Sequence, residues 1–412
     1  PSPRHETDHH TNKQKKKSTT GKRRRRVDKS GKSSGGSSTS TVQQLFALCL
    51  MANDRGITKL RHLLNDSVYS DSIDTLRDKT RNNCTLLHLA AKRNNVEIMS
   101  YLIFNCGANV NASDWCDSRP LHYAVTANAR EATILLLSNG AQSNIRDQYD
   151  SSPLQIALLN NNIDLANDLI AWGANINMRC KRGDTILHQA CKQGYLRRVR
   201  YLIEDCNAST TILNANNEHI LFSAMAYPSV LQYLCERVQS CHKFLNLVSH
   251  ANAYGKTVFH IAAERGYLEG LLVIVQHLKL WWHEEQALIE QFICQRLNEY
   301  DRDKGCTPLH LSVLFGREDM TKFLCMSAQV DVNRKCLSRG CTPIQVAIYK
   351  GVVPICEILI ERGKVGVTKH EMMAFQQLGF SPRIEPVHKT NSFNNKLSTI
   401  TRRASSLIHN FS

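Results

Sequence analysis

The chain has 412 residues, is 42% hydrophobic, and carries a formal charge of +16 with 15 cysteines. The charge is uneven: residues 1–41 hold 12 Lys/Arg against 3 Asp/Glu, residues 382–412 hold 5 against 1, and the body between holds 35 against 32. A nearly neutral body confines any nucleic-acid contact to the basic tail. The cysteines show neither Cys-x-x-Cys pairs nor the spacing of a secreted module, which fits free, small, buried side chains in a reducing compartment. The longest apolar run, Gly270 to Val275, is far too short to cross a bilayer, so no membrane insertion is expected. The N-terminal stretch is polar and basic without the apolar core of a secretory signal. The expected location is intracellular, in the nucleus, the cytoplasm or both.

Residues 1–41 are rich in Ser, Thr, Gly and Lys and show no apolar pattern, so they cannot repay the entropy of ordering and are expected to be disordered. Within them, Lys22, Arg23, Arg24, Arg25 and Arg26 resemble a nuclear-import signal read by an import receptor. The plainer reading is a solvated cationic arm. Val42 to Leu64 reads as two short helices, Leu45 to Leu50 and Ile57 to Leu64, that cap the N-terminal end of the body.

From residue 85 onward one motif recurs. Thr85-Leu86-Leu87-His88-Leu89-Ala90-Ala91 is followed by Arg119-Pro120-Leu121-His122-Tyr123-Ala124, Ser152-Pro153-Leu154-Gln155-Ile156-Ala157 and Thr185-Ile186-Leu187-His188-Gln189-Ala190. Thr257-Val258-Phe259-His260-Ile261-Ala262, Thr307-Pro308-Leu309-His310-Leu311-Ser312 and Thr342-Pro343-Ile344-Gln345-Val346-Ala347 continue it. Measured at His or Gln, the first steps are 34, 33 and 33 residues, which means one supersecondary unit stacked repeatedly. Thr suits a helix N-cap and Pro the first helical position. Apolar residues at helical spacing supply two short helices per unit, and Gly173 fits a left-handed helix end. Four well-formed units span residues 78–111, 113–144, 147–177 and 180–214.

The period then loosens. The unit at 219–250 is irregular: Phe222 takes the His position and Ala226-Tyr227-Pro228 interrupts the first helix. Between His260 and His310 the step is 50 residues, which predicts lengthened helices or an inserted loop at about 276–298, around Trp281 and Trp282. The last unit ends near residue 364. A C-terminal capping helix is expected at 365–381 and a second disordered tail at 382–412. In that tail Arg402-Arg403-Ala404-Ser405 resembles the substrate pattern of basophilic kinases, making Ser405 a candidate phosphorylation site.

The Thr-Pro-Leu-His core recurs together with a closing Gly-Ala-x-x-Asn segment, as in Gly107-Ala108-Asn109-Val110-Asn111, Gly140-Ala141-Gln142-Ser143-Asn144 and Gly173-Ala174-Asn175-Ile176-Asn177. In both features the chain resembles the ankyrin-repeat family over roughly residues 42–365. The resemblance implies an all-α solenoid of eight or nine repeats, each a helix-turn-helix pair with a β-turn tip. It also implies a structural role for His88, His122, His188, His260 and His310, hydrogen-bonded to the backbone of the neighbouring turn. Each His sits at the same place in its own unit, so they form a ladder, not a cluster, and Gln155 and Gln345 at that place would be poor catalytic groups. No phosphate loop, nucleophile elbow or zinc-protease motif occurs. The reading is a non-enzyme without cofactor, metal or small-molecule substrate.

What remains is binding. The resemblance puts the partner surface on the concave side, on the tips and the exposed faces of the first helices. It places Arg81, Trp115, Tyr149, Lys181, Arg182, Tyr254, Lys304 and Arg339 near tips, and Trp, Tyr and Arg are the types that most often dominate interfaces. The expectation is a protein-interaction scaffold or adaptor, in one reading a nuclear regulator. The alternative is the cytoplasmic ankyrin portion of a larger ion channel or multidomain signalling protein. A cullin-recruiting adaptor would need a C-terminal box that is not recognisable after Gly363. Family analogy also makes Asn111, Asn144 and Asn177 candidates for asparagine hydroxylation.

Overall fold

The computed structural model describes residues 37–50, 54–65, 73–238, 240–281, 286–327 and 330–362, together with residue 373. Chain order gives α1 (Ser37–Leu50), α2 (Asp54–Asn65), α3 (Leu86–Lys92), α4 (Val96–Phe104), α5 (Pro120–Thr126), α6 (Arg130–Ser138), α7 (Pro153–Leu159) and α8 (Ile163–Ala171). Next come α9 (Ile186–Gln193), α10 (Leu196–Glu204), α11 (Ile220–Ala224), α12 (Pro228–Glu236), α13 (Cys241–Ser249) and α14 (Val258–Arg265). The series closes with α15 (Leu268–Trp281), α16 (Gln286–Leu297), α17 (Pro308–Leu314), α18 (Glu318–Met326), α19 (Pro343–Lys350) and α20 (Val353–Glu361). No strand occurs among the described residues, and none of their helices is long and apolar enough to cross a membrane.

Each first helix is begun by the motif. At α9 the Thr185 hydroxyl accepts from the His188 N–H, while the His188 ring accepts from the Thr185 N–H in return. Pro at the first helical position of α5, α7, α17 and α19 costs no hydrogen bond there. Buried small residues such as Ala90, Ala124, Ala157, Ala262 and Ala347 let first helices approach, so α3 packs on α5, α5 on α7 and α17 on α19. Leu121, Leu136, Leu154 and Leu309, all essentially inaccessible, fill the space between helices of a pair and between pairs. No pair buries its apolar face alone, so one core runs from α1 to α20.

Among the described residues, both irregular stretches are built mainly of helix. In the 219–250 unit the first helix shrinks to five residues, α11, and Pro228 then opens α12. The spare residues form α13, whose Phe244 and Val248 are fully buried. In the long interval α15 reaches 14 residues and α16 is added, held by buried Ile289, Ile293 and Leu297 against α14 and α15. Trp281 ends α15 partly exposed; Trp282 lies outside the described residues. At the N-terminus α1 begins at Ser37, inside the stretch whose composition carried no apolar pattern. The import-like run at 22–26, the segment 365–381 apart from Met373, and the tail with Ser405 lie outside the described residues.

Candidate protein-interaction surface

Between units the chain makes a tight tip. Asp114 opens one: its N–H donates to the Ser118 carbonyl, and its Oδ1 accepts from the N–H groups of Cys116 and Ser118. Its Oδ2 accepts from the Tyr123 hydroxyl at 2.8 Å, tying the tip to α5. Asp147, Asn214, Asn252 and Asp301 open their tips in the same way, with a side-chain oxygen receiving backbone N–H groups.

Tips are then joined to one another. The residue after the opening position donates its N–H to the preceding tip: Trp115 to Asn82, Gln148 to Cys116, Ala215 to Arg182, Ala253 to Asn216, Arg302 to Tyr254, and Leu337 to Gly305. Lys181 uses the Asp150 carboxylate instead. The approach is close enough to require glycine at Gly183, where φ is +75° and an added Cβ would lie 2.2 Å from the Ala215 nitrogen.

Beneath the tips the histidines form a second ladder. The Thr–His spacing repeats in four units: His88, His188, His260 and His310 each take the preceding Thr N–H at Nδ1, at 3.1, 3.3, 3.2 and 3.4 Å. An imidazole that accepts at Nδ1 carries its proton on Nε2, which donates to a carbonyl of the following unit. The pairs are His88 to Ser118, His122 to Ser151, His188 to Glu218, His260 to Glu299 and His310 to Cys341, at 3.0 to 3.3 Å. Burial lowers the pKa of each, to about 4 for His88 and His260. These are neutral struts between units. No group of three or more His, Cys, Asp or Glu among the described residues could hold a metal ion.

Where Phe222 breaks the motif, His219 does the work three residues earlier. It stands at the N-cap, its Nε2 donates to the Leu247 carbonyl on α13 at 2.9 Å, and burial lowers its pKa to about 3. Alignment on the His position concealed this residue; its polarity at a position otherwise held by Thr, Ser or Arg was the available signal.

All eight expected tip residues lie on tips, but not at equivalent places. Trp115 (64% exposed) and Lys181 follow the opening residue, whereas Tyr149 (71%), Arg182 and Tyr254 (49%) come one position later. Arg81, Lys304 and Arg339 occupy longer tips. Lys304 is half-buried, its Nζ 5.4 Å from the Phe315 ring centroid. Exposed Leu159 and Tyr349 on α7 and α19, each four residues beyond its motif Gln, extend the apolar spots along the first helices. Simple spacing from the motif would have found both.

Charge divides between the two sides of the pairs. Among the described residues of 77–362 the tips and first helices hold 20 Lys/Arg against 11 Asp/Glu, while the second helices and the segments behind them hold 10 against 14. The front carries its surplus at Lys79 and Arg81, at Lys181, Arg182 and Lys192, and at Arg334, Lys335, Arg339 and Lys350. The hairpin asparagines serve structure: the Asn111 amide donates to the Gly140 carbonyl and accepts from the Gln142 N–H, and Asn144 treats Gly173 and Asn175 alike.

Comparison with protein families agrees with this architecture. A family model described as ankyrin repeats matches residues 48–147, 154–244 and 282–370, well over half of the chain. The chain belongs to the ankyrin-repeat family, whose repeats are generally protein–protein interaction modules. The stretch between the second and third matches contains α14 and α15 and adjoins both extra helices. No curated protein is significantly similar to the chain.

Proposed function

We propose that this chain is a non-enzymatic adaptor whose tips and first helices bind an acidic surface of a protein partner. The segregation of charge carries the reading: a near-neutral body places its cationic surplus on the side where exposed Trp115, Tyr149 and Tyr254 stand. Cations at that density attract an acidic partner and steer its approach. The aromatic side chains supply the area that anchors it, and Arg182, Lys181, Arg81, Lys304 and Arg339 set its register. The basic run at 22–26 would address the protein to the nucleus, and phosphate on Ser405 would reverse the local charge of the opposite tail.

Photo-crosslinking from engineered sites on the full chain tests the surface. Probes at Tyr149 and Tyr254 should capture a partner that probes at Glu131 and Glu357 on the second helices do not. Equal capture from both sides would reject the assignment. For the tail, replacing Lys22 to Arg26 with Ala should abolish nuclear accumulation of the tagged chain; an unchanged distribution removes the import role.

A further inference from the structure

Among the described residues the row of tips begins at Asp78 to Cys84, and there its ladder position is unfilled. Lys79 follows the opening Asp78 as Trp115 follows Asp114, and among the described residues its N–H meets no acceptor. Beside it lies an open groove of about 640 Å³ between α1 and the tip. One wall is largely apolar, from Val42, Phe46, Ala47 and Leu50 of α1 with Gln43 among them; the other is Arg77 to Arg81. Arg77 donates to the carbonyls of Asp74, Asn83 and Ser113, which holds the tip in place. Asp78 is the one acid there: its Oδ1 receives the Thr80 N–H and hydroxyl, and its Oδ2 lies 3.7 Å from half-exposed Arg81. Lys79 and Arg81 therefore leave a cationic rim over an apolar floor.

We propose that this groove binds an extended segment of a partner protein in which acidic and aliphatic residues alternate, one of its backbone carbonyls accepting from Lys79. An extended segment turns successive side chains to opposite sides, so aliphatic residues would face α1 while acids face Lys79 and Arg81. The partner thereby adds one rung to a ladder the protein already builds, as in strand addition at an open edge. Both termini of this chain are basic, 12 Lys/Arg against 3 acids in residues 1–41 and 5 against 1 in residues 382–412, so charge disfavours its own tails as occupants. The groove takes Lys79 and Arg81 from the first end of that surface and to that extent rests on that reading, but its α1 wall is its own, so Ala47→Arg tests the groove alone.

The test is fluorescence anisotropy of a fluorescein-labelled peptide of alternating glutamate and leucine with the full chain. Ala47→Arg, at an exposed helical position, should weaken binding by about tenfold by filling the groove, although it adds a positive charge. Lys79→Pro should weaken it about five-fold more than Lys79→Ala, because only proline removes the N–H. The preceding Asp78 is paired in extended form with Cys84 and accepts a following proline. Binding that Ala47→Arg leaves intact, equal loss in the two Lys79 variants, or no binding by the parent chain would overturn the proposal.

Discussion

Lowering the pH should dismantle the solenoid through its buried histidines. His88 is fully buried, takes the Thr85 N–H at Nδ1 and gives its Nε2 proton to the Ser118 carbonyl. Protonation would set a second N–H against the Thr85 donor. Its folded pKa is about 4 against an ordinary value of 6.5. Above that ordinary value neither state binds a proton, and the contribution is fully present. As pH falls through 6.5 the unfolded chain protonates and the folded one does not, so stability drops until the folded group also titrates near 4. At pH 5 this amounts to about 2 kcal/mol for one such histidine, and about 6 kcal/mol for His88, His219 and His260 together. Domains hold about 5–15 kcal/mol in total, so far-UV circular dichroism should show unfolding between about pH 6 and 4.5. The double variant His88→Gln, His260→Gln removes about 4 kcal/mol of that pH-dependent loss and should move the transition to lower pH. Glutamine can serve, since Gln345 already accepts from the Thr342 N–H at 3.1 Å. A parent chain that keeps its helical signal at pH 4, or a double variant with an unmoved transition, would refute the reasoning.

Three further outcomes are expected. Gly270→Ala would place a Cβ 2.3 Å from the Met225 carbonyl oxygen and should destabilise the fold by about 1–3 kcal/mol, read as a lowered Tm. Tyr149→Ala, at a well-exposed tip, should change urea stability by less than about 0.5 kcal/mol, so that any loss of partner binding reports the interface itself. Burial pushes the thiols of Cys49, Cys191 and Cys325 up to about 12, so mass spectrometry after brief alkylation of the native chain near pH 8 should find them unlabelled. Half-buried Cys116 and Cys341 should be labelled.

Much of the fold was legible because its unit writes the same local instructions repeatedly. Thr185 and His188 cap each other within four residues, and Pro120 or Pro308 marks a helix start without tertiary information. The added helices were less legible for the opposite reason. Cys241 to Ser249 carries Phe244 and Val248 at the i, i+4 spacing of a helix, but so short a run marks an extra helix only once those side chains are buried against other segments. Tip positions were readable as a neighbourhood but not as directions. Trp115 and Tyr149 occupy different places in their turns, and Lys304 is drawn down onto Phe315 by a longer tip. The ladder joining the tips uses main-chain N–H groups, which leave no mark on side-chain identity. The unfilled position at Lys79 is therefore visible only in three dimensions.

The long-range bond from Arg302 to Tyr254 spans 48 residues of chain, yet it is the same rung that Trp115 makes to Asn82 across 33. The described part of the surplus, including α16, has been accommodated behind the rung. The tips therefore act as the graduations of a ruler whose back can be thickened without changing its scale. The main-chain link between neighbouring tips is kept although a helix has been added on the far side.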